Sequence, residues 1–167
     1  CSYIVKVIYR QPIDNIVIIE FTGTLLLIAA AGTWIGAIVF QSAVVAPTVF
    51  VDLDESAARV FLRRLFPRFF RLGLICGVLM LVGLALVGFD APNALPIAAV
   101  TAAMLILEAA SLWMVPAINA ARDAGAAGKA RFDRLHRLSV LFTVVILVLG
   151  IGVVALISIG RPLGPGA

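Results

Sequence analysis

The sequence predicts an all-α integral membrane protein: four transmembrane helices in a bundle, with an amphipathic interfacial helix between spans one and two. Three observations predict it. The 167 residues are 63% hydrophobic and 13% charged, where a soluble domain is nearer half apolar and a quarter charged. The stretch Thr22–Phe50 holds no charged residue, and it exceeds the ~20 residues an α-helix needs to cross the ~30 Å hydrocarbon core. Lys and Arg gather in two segments between apolar runs, the distribution that orients membrane helices.

The length allows one compact bundle and no sizeable soluble domain. The net charge is +4, but the basic residues lie beside apolar spans, where anionic headgroups rather than nucleic acid explain them. Cys1 and Cys76 are the two cysteines and His136 the single histidine, so there is no disulfide framework and no closed Cys/His zinc site. An initial Cys1 reads either as a lipidated mature end or as a trimmed chain.

In chain order, residues 1–20 form an N-terminal segment that is interfacial or flexible. Ile4, Val7 and Ile8 stand against Lys6 and Arg10, and Pro12 is a stop. The membrane domain is residues 21–160. Span one covers about residues 21–46, with Pro47 ending or kinking it. Gly32 and Gly36 make a GxxxG pair, which lets a neighbouring backbone approach closely. Trp34 falls near mid-span, away from the headgroup level where Trp usually sits, so it belongs inside the bundle. Residues 51–68 form the amphipathic connector. Ala58, Phe61, Leu62, Leu65 and Phe69 line one face and Glu55, Arg59 and Arg63 the other, while Asp52 with Glu55 resembles a capping box.

Span two covers about residues 69–88, with Gly73 and Gly77 as a second small-residue seam. Asp90, Pro92 and Asn93 then make a tight link. Span three covers about residues 96–116, with Pro96 in its first turn and Pro116 at its end. Residues 119–131 have the small, polar composition of a mobile loop. Span four covers about residues 138–160, and residues 161–167 are a tail. Ten of the 13 Lys and Arg fall in the two long connectors, against Lys6, Arg10 and Arg161 on the other side. The positive-inside rule puts both connectors in the cytoplasm and both termini outside, in a bacterial inner (plasma) membrane.

Glu108 is the residue with most chemistry. It stands eight residues before Pro116, about 12 Å inside that end of span three. A carboxylate at such depth is costly unless it is neutral, paired or wetted. Gln41, Cys76 and Thr143 fall about 7–11 Å inside the same face and complete an intramembrane polar layer. Thr101 and Ser111 share Glu108's helical face. The layer reads either as a protonated Glu108 hydrogen-bonding across helices or as a proton or ligand site. His136 shares a stripe with Phe132, Ser139 and Thr143, and reads either as a hydrogen-bonding anchor or as a metal or haem ligand. Met80, Met104 and Met114 read as apolar packing rather than copper ligands. A G-x-G-x-x-A match at Gly150, Gly152 and Ala155 sits inside an apolar span with no preceding strand, so it is accidental.

The residues Trp34-Ile35-Gly36, Phe40 and Val45-Ala46-Pro47-Thr48-Val49-Phe50, followed by Leu65-Phe66-Pro67 and Gly73, form a pattern. With Pro116, Phe132, His136 and Ser139 it resembles the transmembrane-protein-205-like membrane proteins, a family of unknown function, over about residues 25–158. The resemblance implies a four-span bundle and no established reaction. More distantly the chain is similar to copper-resistance-D-type and protoporphyrinogen-oxidase-J-type membrane proteins, some of which handle copper or haem through histidines.

The leading expectation is a non-enzymatic polytopic membrane protein, an accessory or scaffold subunit that packs against a larger membrane complex or itself, with no cofactor. One alternative is a membrane redox protein binding haem b or copper through His136. Another is a small proton-linked transporter or channel centred on Glu108. The expected partners are anionic headgroups on the cytoplasmic side and other membrane subunits or a second copy of the chain, with no nucleic acid.

Overall fold

A helix of 30 residues is about 45 Å long, more than the hydrocarbon core requires, and every long helix of this chain reaches that length. The computed structural model describes residues 2–159, with side chains from Asn15 onward. The expectations for Cys1, for the side chains of residues 1–14 (Lys6 and Arg10 among them), and for the tail from residue 161 lie outside the described residues. The helices are α1 (Ser2–Phe40), α2 (Ala46–Asp52), α3 (Glu55–Val87), α4 (Ala94–Asp123) and α5 (Lys129–Ile159). A π-helical turn, Gln41–Val45, joins α1 to α2, and a 3-10 turn, Gly125–Gly128, joins α4 to α5. Four spans are long and apolar enough to cross a membrane. They pack in a ring in which α1 lies on α3, α3 on α4 and α4 on α5, with a smaller α5–α1 contact closing it. The chain is a four-helix membrane protein.

Four prolines expected near helix ends lie inside helices instead, and the first is Pro12, which does not stop α1 (Ser2–Phe40). Pro47 does not end the first span. The Ala46 N–H bonds Gln41 O across the π-helical turn, and the helix continues to Asp52, the widened turn accommodating a residue that has no N–H to give. Pro116 sits inside α4, which runs on to Asp123. Pro67 sits inside α3, so the amphipathic connector and span two are one helix. The reason is phase: the buried residues Ala58, Leu62, Phe70, Gly73, Gly77, Met80 and Leu84 follow one another three, four or eight apart along one stripe. Nothing along that stripe calls for a break. Phe61, placed by the pattern on the apolar face of the connector, is 41% exposed.

The start of α3 differs from the expected Asp52 box. Asp52 closes α2, and Asp54 is the N-cap. Its Oδ1 accepts from the Ser56 hydroxyl at 2.7 Å and from the Ala57 N–H at 2.9 Å. The Ser56 hydroxyl first, then the Ala57 N–H, hold the Asp54 carboxyl below its ordinary value of 3.8. A carboxyl depressed by folding contributes stability above its unfolded value, and that contribution is lost as pH falls through the folded value. Protection of the Ala57 amide from hydrogen exchange is therefore expected to decline below about pH 4, and to be lost in Asp54→Ala but kept in Asp54→Asn. Equal protection in all three proteins would contradict the cap.

The two ends of the bundle are tied differently. At the end opposite the basic connectors, Gly88 (φ 99°) and Asn93 (φ 63°) take the left-handed backbone of a tight link, and Asn93 Nδ2 donates to Leu156 O on α5 at 3.0 Å. At the basic end, Arg63 on α3 pairs with Asp123 on α4, and the Arg122 guanidinium lies 4.8 Å from the Phe132 ring centre. The segment 119–131, expected as a mobile loop, is almost wholly helical. Gly128 packs so closely under the Ala121 carbonyl that a Cβ has no room, and this closes the turn.

Candidate functional site

Three helices meet at a carboxylate in the middle of the bundle. Glu108 on α4 is 2% exposed and Trp34 on α1 is 1% exposed. Between them lies Gly73 of α3. A Cβ built there would meet the Glu108 carboxyl and would stand 2.7 Å from Trp34 Nε1. Four residues on, a Cβ at Gly77 would stand 3.0 Å from Trp34 Cζ3 and 2.5 Å from the Leu105 side chain. The two glycines thus form a trough in α3 along which the indole lies. This accounts for a tryptophan at mid-membrane depth: its apolar body fills the trough and its polar tip is brought to the carboxyl.

Trp34 Nε1 and the Glu108 carboxyl both border the same point, the space a Cβ on Gly73 would occupy. Among the described residues, Trp34 Nε1 and Glu108 Oε1 are both buried without a hydrogen-bond partner. The two hydroxyls on Glu108's face do not serve it. Thr101 Oγ1 donates to Ile97 O at 2.8 Å and Ser111 Oγ to Leu107 O at 2.9 Å, both within α4. What the arrangement can do chemically is narrow. A buried carboxyl beside an indole N–H where three helices meet can lock those helices together or hold and release a proton.

The other residues singled out from the sequence are placed as follows. Gln41 is buried on the π-helical turn and Cys76 is buried on α3 beside Gly77. Thr143 is half-buried and donates to Ser139 O at 3.1 Å on its own helix. Ser139 is buried. His136 is exposed at the basic end of α5, its ring stacked on Phe132 at 5.5 Å with an interplanar angle of 6°. Pro47, Phe50 and Pro116 are exposed, while Phe66 and Pro67 are half-buried. Among the described residues no three His, Cys, Asp or Glu side chains come together as a metal site.

The glycine pairs fare differently from one another. Gly73 and Gly77 pack inside the bundle as just described, but a Cβ at Gly32 or Gly36 meets nothing within 4 Å. The close approach of α1 to α3 is made by Gly23 and Gly83 instead, where a Cβ on Gly23 would stand 2.6 Å from Gly83 O and one on Gly83 2.7 Å from Gly23 O. Neither belongs to a GxxxG pair. The available signal was that each is a single glycine in an apolar span, which by itself names no partner.

No curated protein and no solved structure matches the chain. One family does, over residues 29–127, which include Trp34, Gly73, Gly77 and Glu108 and extend from the middle of α1 to the 3-10 turn before α5. That family is described as a domain of unknown function, DUF4149, and the match covers more than half of the sequence, so the chain belongs to it.

Proposed function

We propose that the chain is a non-enzymatic accessory or scaffold subunit, which packs against a second copy or a larger membrane complex through the outer face of α1. The observation that carries this reading is the open pair Gly32 and Gly36. Gly23, Gly73, Gly77 and Gly83 are all filled by the chain's own atoms, whereas a Cβ at Gly32 or Gly36 meets none. Ala29 and Thr33 are exposed beside them, making a flat strip of small residues at which another helix can come close. In Gly36→Leu, purified gently from native membranes, the oligomer or co-purifying assembly is expected to be lost while the isolated chain melts as wild type. An assembly of unchanged size would count against the reading.

The Lys and Arg distribution supports a cytoplasmic basic end, with the termini outside, in a bacterial inner membrane. A cysteine at the exposed Ala126 is then expected to be labelled only from the cytoplasmic side, and labelling of intact cells from outside would reverse the orientation.

The finer resemblance to transmembrane-protein-205-like proteins rests on Trp34, Gly36, Pro47, Phe50, Phe66 and Pro67, and it implies no reaction. A second reading, a proton-linked role for Glu108, is favoured by its buried and otherwise unpartnered Oε1. The haem or copper reading rests on His136 as the single histidine of the chain. His136 is exposed and stacked on Phe132, and among the described residues no group of three His, Cys, Asp or Glu side chains forms around it.

A further inference from the structure

The five arginines near the start of α3 divide into two sets. Arg59 pairs with Glu55 at 2.9 Å and Arg63 pairs with Asp123. Arg64, Arg68 and Arg71 are exposed, and among the described residues no carboxylate pairs with them. Their spacing of four and then three residues keeps them on one face of the helix. That face continues along α3 through Ile75, Val78 and Val82, which are 57%, 53% and 45% exposed.

The rise from Arg64 to Arg71 is about 10 Å, comparable to the headgroup layer of ~5–8 Å on one side of a bilayer. An unpaired cationic band therefore stands directly above an apolar strip on the same face. A shallow groove lined by Val60, Phe61, Arg64, Leu65 and Arg68 runs beside the band.

We infer that Arg64, Arg68 and Arg71 with the Ile75–Val82 strip bind one anionic phospholipid, the guanidinium groups holding its phosphate and the strip its acyl chains. Charge complementarity selects the occupant. A zwitterionic headgroup carries its own cation and gains little from three arginines, whereas a net-negative headgroup neutralises charge that the chain itself leaves unpaired. The continuous apolar strip selects a lipid over a free anion. The inference rests on the membrane-spanning fold and not on the subunit role proposed above, so loss of an assembly in Gly36→Leu leaves it untouched.

The test is native mass spectrometry of the full chain in neutral detergent, titrated separately with phosphatidylglycerol and phosphatidylcholine. Wild type is expected to retain one phosphatidylglycerol in preference to phosphatidylcholine. The Arg68→Gln/Arg71→Gln variant is expected to lose about tenfold or more of that preference, while Arg131→Gln/Arg134→Gln on α5 keeps it. All three arginines are exposed, so the variant is expected to melt as wild type; should the pair fail to assemble, Arg71→Gln alone carries the comparison. Equal retention of the two lipids by wild type, or equal retention of phosphatidylglycerol by wild type and variant, would overturn the site. Displacement of the lipid by inorganic phosphate at matched concentration would also overturn it, since that reports a simple anion site.

Discussion

Gly73→Leu is expected to lower the melting temperature of the detergent-solubilised protein sharply, by about 3 kcal/mol or more in stability. The added side chain has nowhere to go. Its first carbon already meets the Glu108 carboxyl and stands 2.7 Å from Trp34 Nε1, so either the indole leaves its trough or α4 moves off α3. The emission of Trp34 reports which occurs, read in a Trp113→Phe background because Trp113 is 84% exposed and Trp34 is 1% exposed. The matched control is Gly32→Leu. It adds the same side chain to a span where nothing lies within 4 Å, and it is expected to melt as wild type. Equal melting of the two variants would mean that Gly73 is not the point where α1, α3 and α4 meet.

Replacing Glu108 separates the structural from the proton-linked role. Glu108→Gln keeps the shape of the side chain and an oxygen to face the Trp34 N–H, so it is expected to assemble and melt as wild type. Glu108→Leu replaces the polar group that borders that N–H with an alkyl group, at a cost of about 1–2 kcal/mol. Proton flux in liposomes is the second readout. Under the structural role wild type and Glu108→Gln behave alike; flux that is present in wild type and abolished in Glu108→Gln would establish the proton-linked role instead.

Membrane class and span number were legible from the chain because hydrocarbon leaves a single-chain helical protein few options. Every backbone polar group must be satisfied internally, so long uncharged runs become helices whatever their neighbours. Thr22–Phe50 and the runs of spans two and four meet that condition on composition and length, and span three meets it with Glu108 as its one charged residue. The burial of Glu108 and Trp34 followed from their places near the middle of long apolar spans, where a polar or amphipathic side chain is favoured inside the bundle.

Which residues touch was not legible, because that depends on how each helix is rotated about its axis and where pairs of axes cross. Spacing made Gly32–Gly36 and Gly73–Gly77 equivalent, yet packing turned the second pair onto Trp34 and Glu108 and left the first facing outward. It joined α1 to α3 through Gly23 and Gly83, which have no paired spacing. It also carried helices past Pro67 and Pro116, since an unbroken buried stripe and tertiary contacts outweigh one missing N–H. The fold class thus follows from how each segment meets lipid, whereas the Trp34–Gly73–Glu108 junction exists only where three helices have chosen their faces for one another.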